Sequence, residues 1–182
     1  MNEKDIDTIQ ALLSPDESKA DRLERIRQID EARKLIRLPI SEWPEFDVLW
    51  NLNPIDFRYS LDGCSVDDFI SYYPDGMILS EVSLSELDMQ LCKFNQRSAE
   101  EVWDVGFDDK AARVLLSWIE GRAITPPLVG RTNITDELCL HGGNHRLAVA
   151  RAKGETRLPI LISPSNYQFV ADSLSLLSIS KQ

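Results

Sequence analysis

The chain has 182 residues, 43% of them hydrophobic and 27% charged, with a net charge of −10. That length and balance fit one globular domain with an appendage and exclude a disordered chain. The acidic balance opposes direct DNA binding, which Lys and Arg drive by releasing counterions, and fits a basic-surfaced partner or simply a soluble acidic protein. No apolar run approaches the roughly 20 residues of a membrane span, and the charged start, Met1-Asn-Glu-Lys-Asp-Ile-Asp, lacks a signal-peptide apolar region. A cytoplasmic protein without membrane contact is expected. Cys64, Cys92 and Cys139 are scattered, with no C-x-x-C pair, so buried reduced thiols are expected rather than a disulfide framework or a zinc site.

Residues 1–40 read as a helical N-terminal extension. Ser14-Pro15-Asp16-Glu17 has the form of a helix start, with Glu three residues after a capping Ser. Leu23, Ile26, Ile29, Ala32 (or Arg33) and Ile36 then form an amphipathic stripe. Such a helix packs on the main body or on a second subunit, or binds a partner protein; a homodimer through it is one form of this. Leu38-Pro39 ends it. Residues 41–77 are dense in aromatics and turn signals, and read as an irregular segment packing on the core. Trp43, Phe46, Trp50, Phe57, Tyr59, Tyr72 and Tyr73 are expected as local core, since few basic residues interleave with them as a base-stacking platform needs. Ser65-Val-Asp-Asp68 caps a short helix through Tyr72.

Residues 78–182 read as the main domain. "MILSEVSLSELD" is a strand followed by a turn. Ser98-Ala-Glu-Glu101 is a second capping box, just after Asn95-Gln96-Arg97. "DDKAARVLLSWIEGR" is a helix opened by Asp108 or Asp109, striped by Ala112, Leu115, Leu116 and Ile119, and stopped by Gly121. "ITPPLVG" is a strand entered through prolines, "RTNITDE" a polar turn and "LCLH" a short strand. A helix from about Asn144 to Lys153 stops at Gly154, "LPILI" is a final strand, and the tail docks as another helix. No internal repeat is evident.

The most informative stretch is "LCLHGGNHRLAVARAKG". Glycine lets the backbone approach a ligand closely, and a helix N-terminus offers free N–H groups with a partial positive charge. His145 and Arg146 fall in the first turn, where basic residues oppose the dipole unless an anion sits there. Arg presents a planar fork of donors that matches phosphate oxygens. The pattern is a phosphate site, or else a Gly turn with a solvated His-Arg pair. His141 and His145 are four apart, but a strand-to-helix passage separates them and no third ligand lies at metal spacing, so no metal site is expected.

The order of these parts resembles the ParB/sulfiredoxin-like family: a helix ending in Gly, a Pro-containing strand, a turn, a strand, a "G-G/E-x-[HR]-R-x-x-A" box opening a helix, then Gly and a Pro-led strand. Here they read "LLSWIEGRAITPPLV", "ELCLHGGNHRLAVARAKG" and "TRLPILI", and the upstream "LSELDMQLCKFNQRSAEEVW" is similar to the family's first segment. The resemblance covers roughly residues 78–162. Sulfiredoxin carries Gly-Gly-Cys-His-Arg, whose cysteine does the chemistry. Asn144 replaces that cysteine here, a carboxamide is no thiolate nucleophile, and Cys139 lies on the preceding strand, so sulfinic-acid reduction is not expected.

The resemblance implies a small mixed sheet flanked by helices, an α/β (α+β) fold. It also implies binding of ATP or another nucleotide, usually with magnesium; the family includes CTP-switched partition proteins, serine kinases, and plasmid- or phage-borne proteins with nuclease or ATPase activity. Carried over, Gly142, Gly143, Asn144, His145 and Arg146 contact the phosphates, with Arg97 and Asn95 on the other side. Glu100 and Glu101 are the candidate catalytic carboxylates, as base or magnesium ligand, with capping as their alternative role, and Asp104 is a third choice. Three functions compete: a magnesium-dependent ATPase or phosphotransferase, a nucleotide-switched regulator of a protein partner (or of DNA through a partner), and an antitoxin- or immunity-type protein that blocks a basic partner.

Overall fold

The computed structural model describes residues 18–61, 63–132 and 136–179. The expected helix start at Ser14 and the middle of the polar turn at 133–135 lie outside them. The described chain folds as α+β, with a mixed sheet in the order β3-β2-β4-β1-β5. The strands are β1 (Ile78–Ser83), β2 (Leu128–Arg131), β3 (Leu138–Gly142), β4 (Arg157–Ile162) and the two-residue β5 (Leu177–Ser178). The helices are α1 (Lys19–Arg33), α2 (Val66–Tyr72), α3 (Leu84–Gln90), α4 (Asp108–Ile119), α5 (Asn144–Lys153) and α6 (Tyr167–Ser173).

β4 is the centre of the sheet. It pairs antiparallel with β1 from Arg157↔Ser83 to Ile162↔Ile78, and parallel with β2 at Leu161 and Ile162. Its near-continuous apolar run fits a strand covered on both faces. Leu158, Ile160 and Ile162 join the main core with Val82, Leu87, Leu140 and Leu147, while Leu161 faces Phe57 and Leu128 on the other side. Pro159 is tolerated because its missing N–H lies on the β2 side. Leu161 N–H donates to the Pro127 carbonyl there, and β2 does not extend to residue 159.

α4 and α5 pack together and carry a second core of Phe46, Val102, Leu115, Trp118 and Val149. The tryptophans are absorbed here. Trp118 lies edge-on to Trp50 at 5.3 Å and stacks on Phe46 at 6.4 Å, and its indole donates to the Leu49 carbonyl. The aromatic segment thus packs on the core as expected, except that Tyr59 and Tyr72 are 45% and 69% exposed. Ser65 caps α2 by accepting from the Asp68 N–H at 3.1 Å.

Three readings need correction. Residues 84–90 form helix α3 rather than a turn, because Leu84, Leu87 and Leu91 recur at helical spacing and bury in the main core. β4 is not the last strand, since β5 follows α6 and adds to β1. α1 lies on α4, but only the end of its stripe packs: Ala32 is buried and Ile29 half-buried, whereas Leu23 and Ile26 are exposed. The cysteines are free and half-buried; burial, then the neighbouring Cys92, raises the Cys139 thiol above its ordinary value. Among the described residues, no helix is long and apolar enough to cross a membrane.

Candidate functional site

β3 turns into α5 through Gly142-Gly143, and both glycines are required by packing. A Cβ on Gly142 would lie 2.0 Å from the Ser60 carbonyl oxygen, in the 3-10 turn Pro54–Leu61 that closes against the box. Gly143 has φ 90°, and a Cβ there would meet Pro127 Cα at 2.8 Å. No side chain caps α5, so the positive end of its dipole opens on the space ahead of its first turn.

That space is a cleft of about 370 Å³ lined by Gly142, Gly143, Asn144 and His145 on one side. Residues 94–97 and 105–110 contribute Phe94, Arg97, Phe107 and Lys110 as a second wall, and Ser60, His141 and Arg151 are among the other lining residues. The structure therefore brings the glycine box, Asn95, Arg97 and His145 together. None of the described lining residues is a carboxylate, in a chain whose net charge is −10.

The predicted residues divide by what already holds them. Arg146 is 7% exposed, and its guanidinium donates to the Thr125 carbonyl at 2.6 Å and to the Ser60 carbonyl at 3.2 Å. It ties the aromatic segment to α5. It lines not the cleft but a more open hollow beside it, with Tyr59, Lys110, Arg113 and His145. Asn95 is 5% exposed. Its Oδ1 accepts from the Leu140 N–H at 3.1 Å and its Nδ2 donates to Asn144 Oδ1 at 2.8 Å, so it brackets β3 to the box. His145 is hydrogen-bonded through Nε2 to the Gly106 carbonyl, pinning the loop before α4. Arg97 is half-buried, donates to the Gln96 carbonyl, and makes no ion pair among the described residues. Arg151 is tied to Asp88 through two nitrogens, at 2.9 and 2.5 Å.

Glu100, Glu101 and Asp104 do not line the cleft. Glu101 accepts from the Ser98 N–H at 2.6 Å, which is the reciprocal half of a capping box. Glu100 is hydrogen-bonded by its own backbone N–H and by Ser98, which hold its carboxyl below the ordinary value and make it a weaker base. Their alternative, capping role is the one the structure displays. His141 is exposed and bonded to the Arg131 carbonyl at 3.2 Å, away from His145's partner. Among the described residues no group of three or more His, Cys, Asp or Glu side chains could hold a metal ion.

Sequence reasoning missed several contributors. Ser60 and Lys110 carry no motif. Phe94 and Phe107 are flanked by polar and charged residues and look like any isolated aromatics. The one available signal was Gly106 before Phe107, a turn residue opening a helix that a polar cap should have opened. Comparison with protein-family models, curated proteins and solved structures finds no match to this chain.

Proposed function

We propose that the cleft binds a nucleotide, with the phosphates at the N-terminus of α5 and against Arg97 and Lys110. The observation that carries this is the lining: cationic and N–H donor groups without a described carboxylate, in an otherwise acidic protein. The order of elements around the Gly-Gly-Asn-His-Arg box, similar to that of the ParB/sulfiredoxin-like family, supports the same class of ligand. Backbone N–H groups at an uncapped helix end suit phosphate oxygens.

The described groups supply binding rather than turnover. Phosphoryl transfer needs a group to orient or deprotonate the nucleophile, and Glu100 and Glu101 are held in caps away from the cleft. A magnesium ion would arrive with the phosphates and water as its main ligands, which is its common mode. The reading is that of a nucleotide-responsive binding protein, with the exposed Leu23 and Ile26 of α1 available to a protein partner.

The test is a thermal-shift panel of ATP, ADP, CTP and GTP, with and without magnesium, on the wild type and Arg97→Ala. A ligand of the folded state raises the melting temperature by mass action. The expected result is a shift with at least one nucleotide that Arg97→Ala loses. No shift with any nucleotide, from a folded sample, would overturn the reading.

A further inference from the structure

Two phenylalanines on the cleft rim have no place in either core. Phe94 is 78% exposed and Phe107 is 74% exposed, although Phe46 and Phe57 are buried. They lie on separate loops and meet only in lining the same cleft. An exposed phenyl ring gains nothing from the hydrophobic effect until something covers it.

Phe107 is held there against its own backbone preference. Its φ and ψ are 55° and 69°, the left-handed region, which a bulky residue rarely enters. It follows Gly106, also at positive φ (80°), and the pair turns the chain into α4. His145 fixes the turn through the Gly106 carbonyl, so the glycine-box helix itself sets where the ring stands. Lys110 Nζ lies 5.6 Å from the ring centroid, a cation–π contact. Strain of this kind persists where surroundings over-determine it, and clusters at ligand clamps.

We propose that Phe94 and Phe107 are the residues that read the ring of the ligand: a planar aromatic base stacks on them while its phosphates lie at the glycine box. This rests on the anion-cleft reading above and adds where the base goes and what selects it. Aromatic stacking is sequence-tolerant because every base has a π-face, and the larger purine ring covers more of a phenyl. The cleft volume of about 370 Å³ lies in the range of small-molecule sites, roughly 300–1,000 Å³.

The experiment compares inorganic tripolyphosphate with ATP, GTP, CTP and UTP by calorimetry, on the wild type, Phe94→Ala and Phe107→Ala. Both side chains are exposed, so both variants are expected to fold, and a melting curve checks this. The best nucleotide should bind the wild type about tenfold or more tightly than tripolyphosphate, purines ahead of pyrimidines. Each alanine variant should lose most of that gain while its tripolyphosphate affinity stays within about twofold. Equal affinity for tripolyphosphate and every nucleotide would overturn the ring assignment and leave the anion site standing. Variants that weaken both ligands alike would also overturn it. Failure of tripolyphosphate and all nucleotides to bind would overturn the anion site and the ring assignment together.

Discussion

The two walls of the cleft differ in how much of their chemistry the fold already occupies. Around the box, Arg146 is buried against two carbonyls just behind the cleft, Asn95 is engaged at both ends of its amide, and His145 holds a loop. On the facing wall, Phe94 and Phe107 are more than 70% exposed and Arg97 has no described ion-pair partner. The residues that make the motif conspicuous chiefly build the site, and the inconspicuous ones are left more open along the cleft. What the box wall leaves for a ligand is its backbone, the N–H groups that open α5.

The largest effect should come where the box has no room. Gly142→Ala drives a Cβ into the Ser60 carbonyl, and we expect a loss of about 3 kcal/mol or more in denaturant unfolding, or no folded protein. A variant of wild-type stability would mean that the Pro54–Leu61 turn does not sit on the box.

Next is the contrast between the two arginines. Arg146→Ala leaves the Ser60 and Thr125 carbonyls without their donor, and should lose about 2–3 kcal/mol of stability. Arg97→Ala should melt close to wild type and lose phosphate affinity instead. Reversed roles, with Arg146→Ala stable but unable to bind and Arg97→Ala unfolded, would erase the distinction between the walls.

A smaller effect of opposite sign belongs to the facing wall. Phe107→Gly relieves the left-handed strain and removes a ring that buries little, so stability should rise by about 1 kcal/mol while nucleotide affinity falls. A loss of stability on calorimetry would show that the ring packs as core.

The smallest concerns neither wall. Glu24 on α1 is hydrogen-bonded first by Arg27 and then by Gln28, and its carboxyl is lowered from 4.5 to about 2. A carboxyl lowered in the folded state stabilises above its unfolded value, and that contribution disappears as the pH falls from 4.5 towards 2. The pair is exposed and screened, so Glu24→Gln should lower stability only slightly at pH 7, and the difference from wild type should vanish in an acid-unfolding curve as the pH falls through that window. Large destabilisation at pH 7 would show that α1 is held by this charge rather than by Ile29 and Ala32.

Local signals made part of the fold legible. α5 runs from Asn144 to Lys153 as read, because Gly143 and Gly154, both at φ 90°, punctuate it. Gly121, at φ 70°, marked the end of α4 in the same way, and Ser65 marked the start of α2 by its side-chain cap. α3 was read as a turn after β1, whereas the Leu84-Leu87-Leu91 spacing, buried in the main core, makes it a helix. At the site, the grouping of Asn95, Arg97 and the box was expected from the family resemblance alone, and their division of labour was not legible. Arg146 is a structural tie because a carbonyl 86 residues earlier in the chain meets it, and no local pattern announces that. Phe107 was invisible for the opposite reason: its conformation contradicts its residue type, and such conflicts concentrate at functional sites.

The most direct test of the cleft is a nitrogen-15 NMR titration of the wild type with inorganic tripolyphosphate, reading backbone amides and arginine Nε–H groups. We expect the amides of Gly143, Asn144 and His145 and the Arg97 Nε–H to shift together and saturate, with the Arg146 Nε–H unmoved. Absence of any saturable shift at the box, or a response centred on Arg146 while Arg97 stays silent, would contradict it.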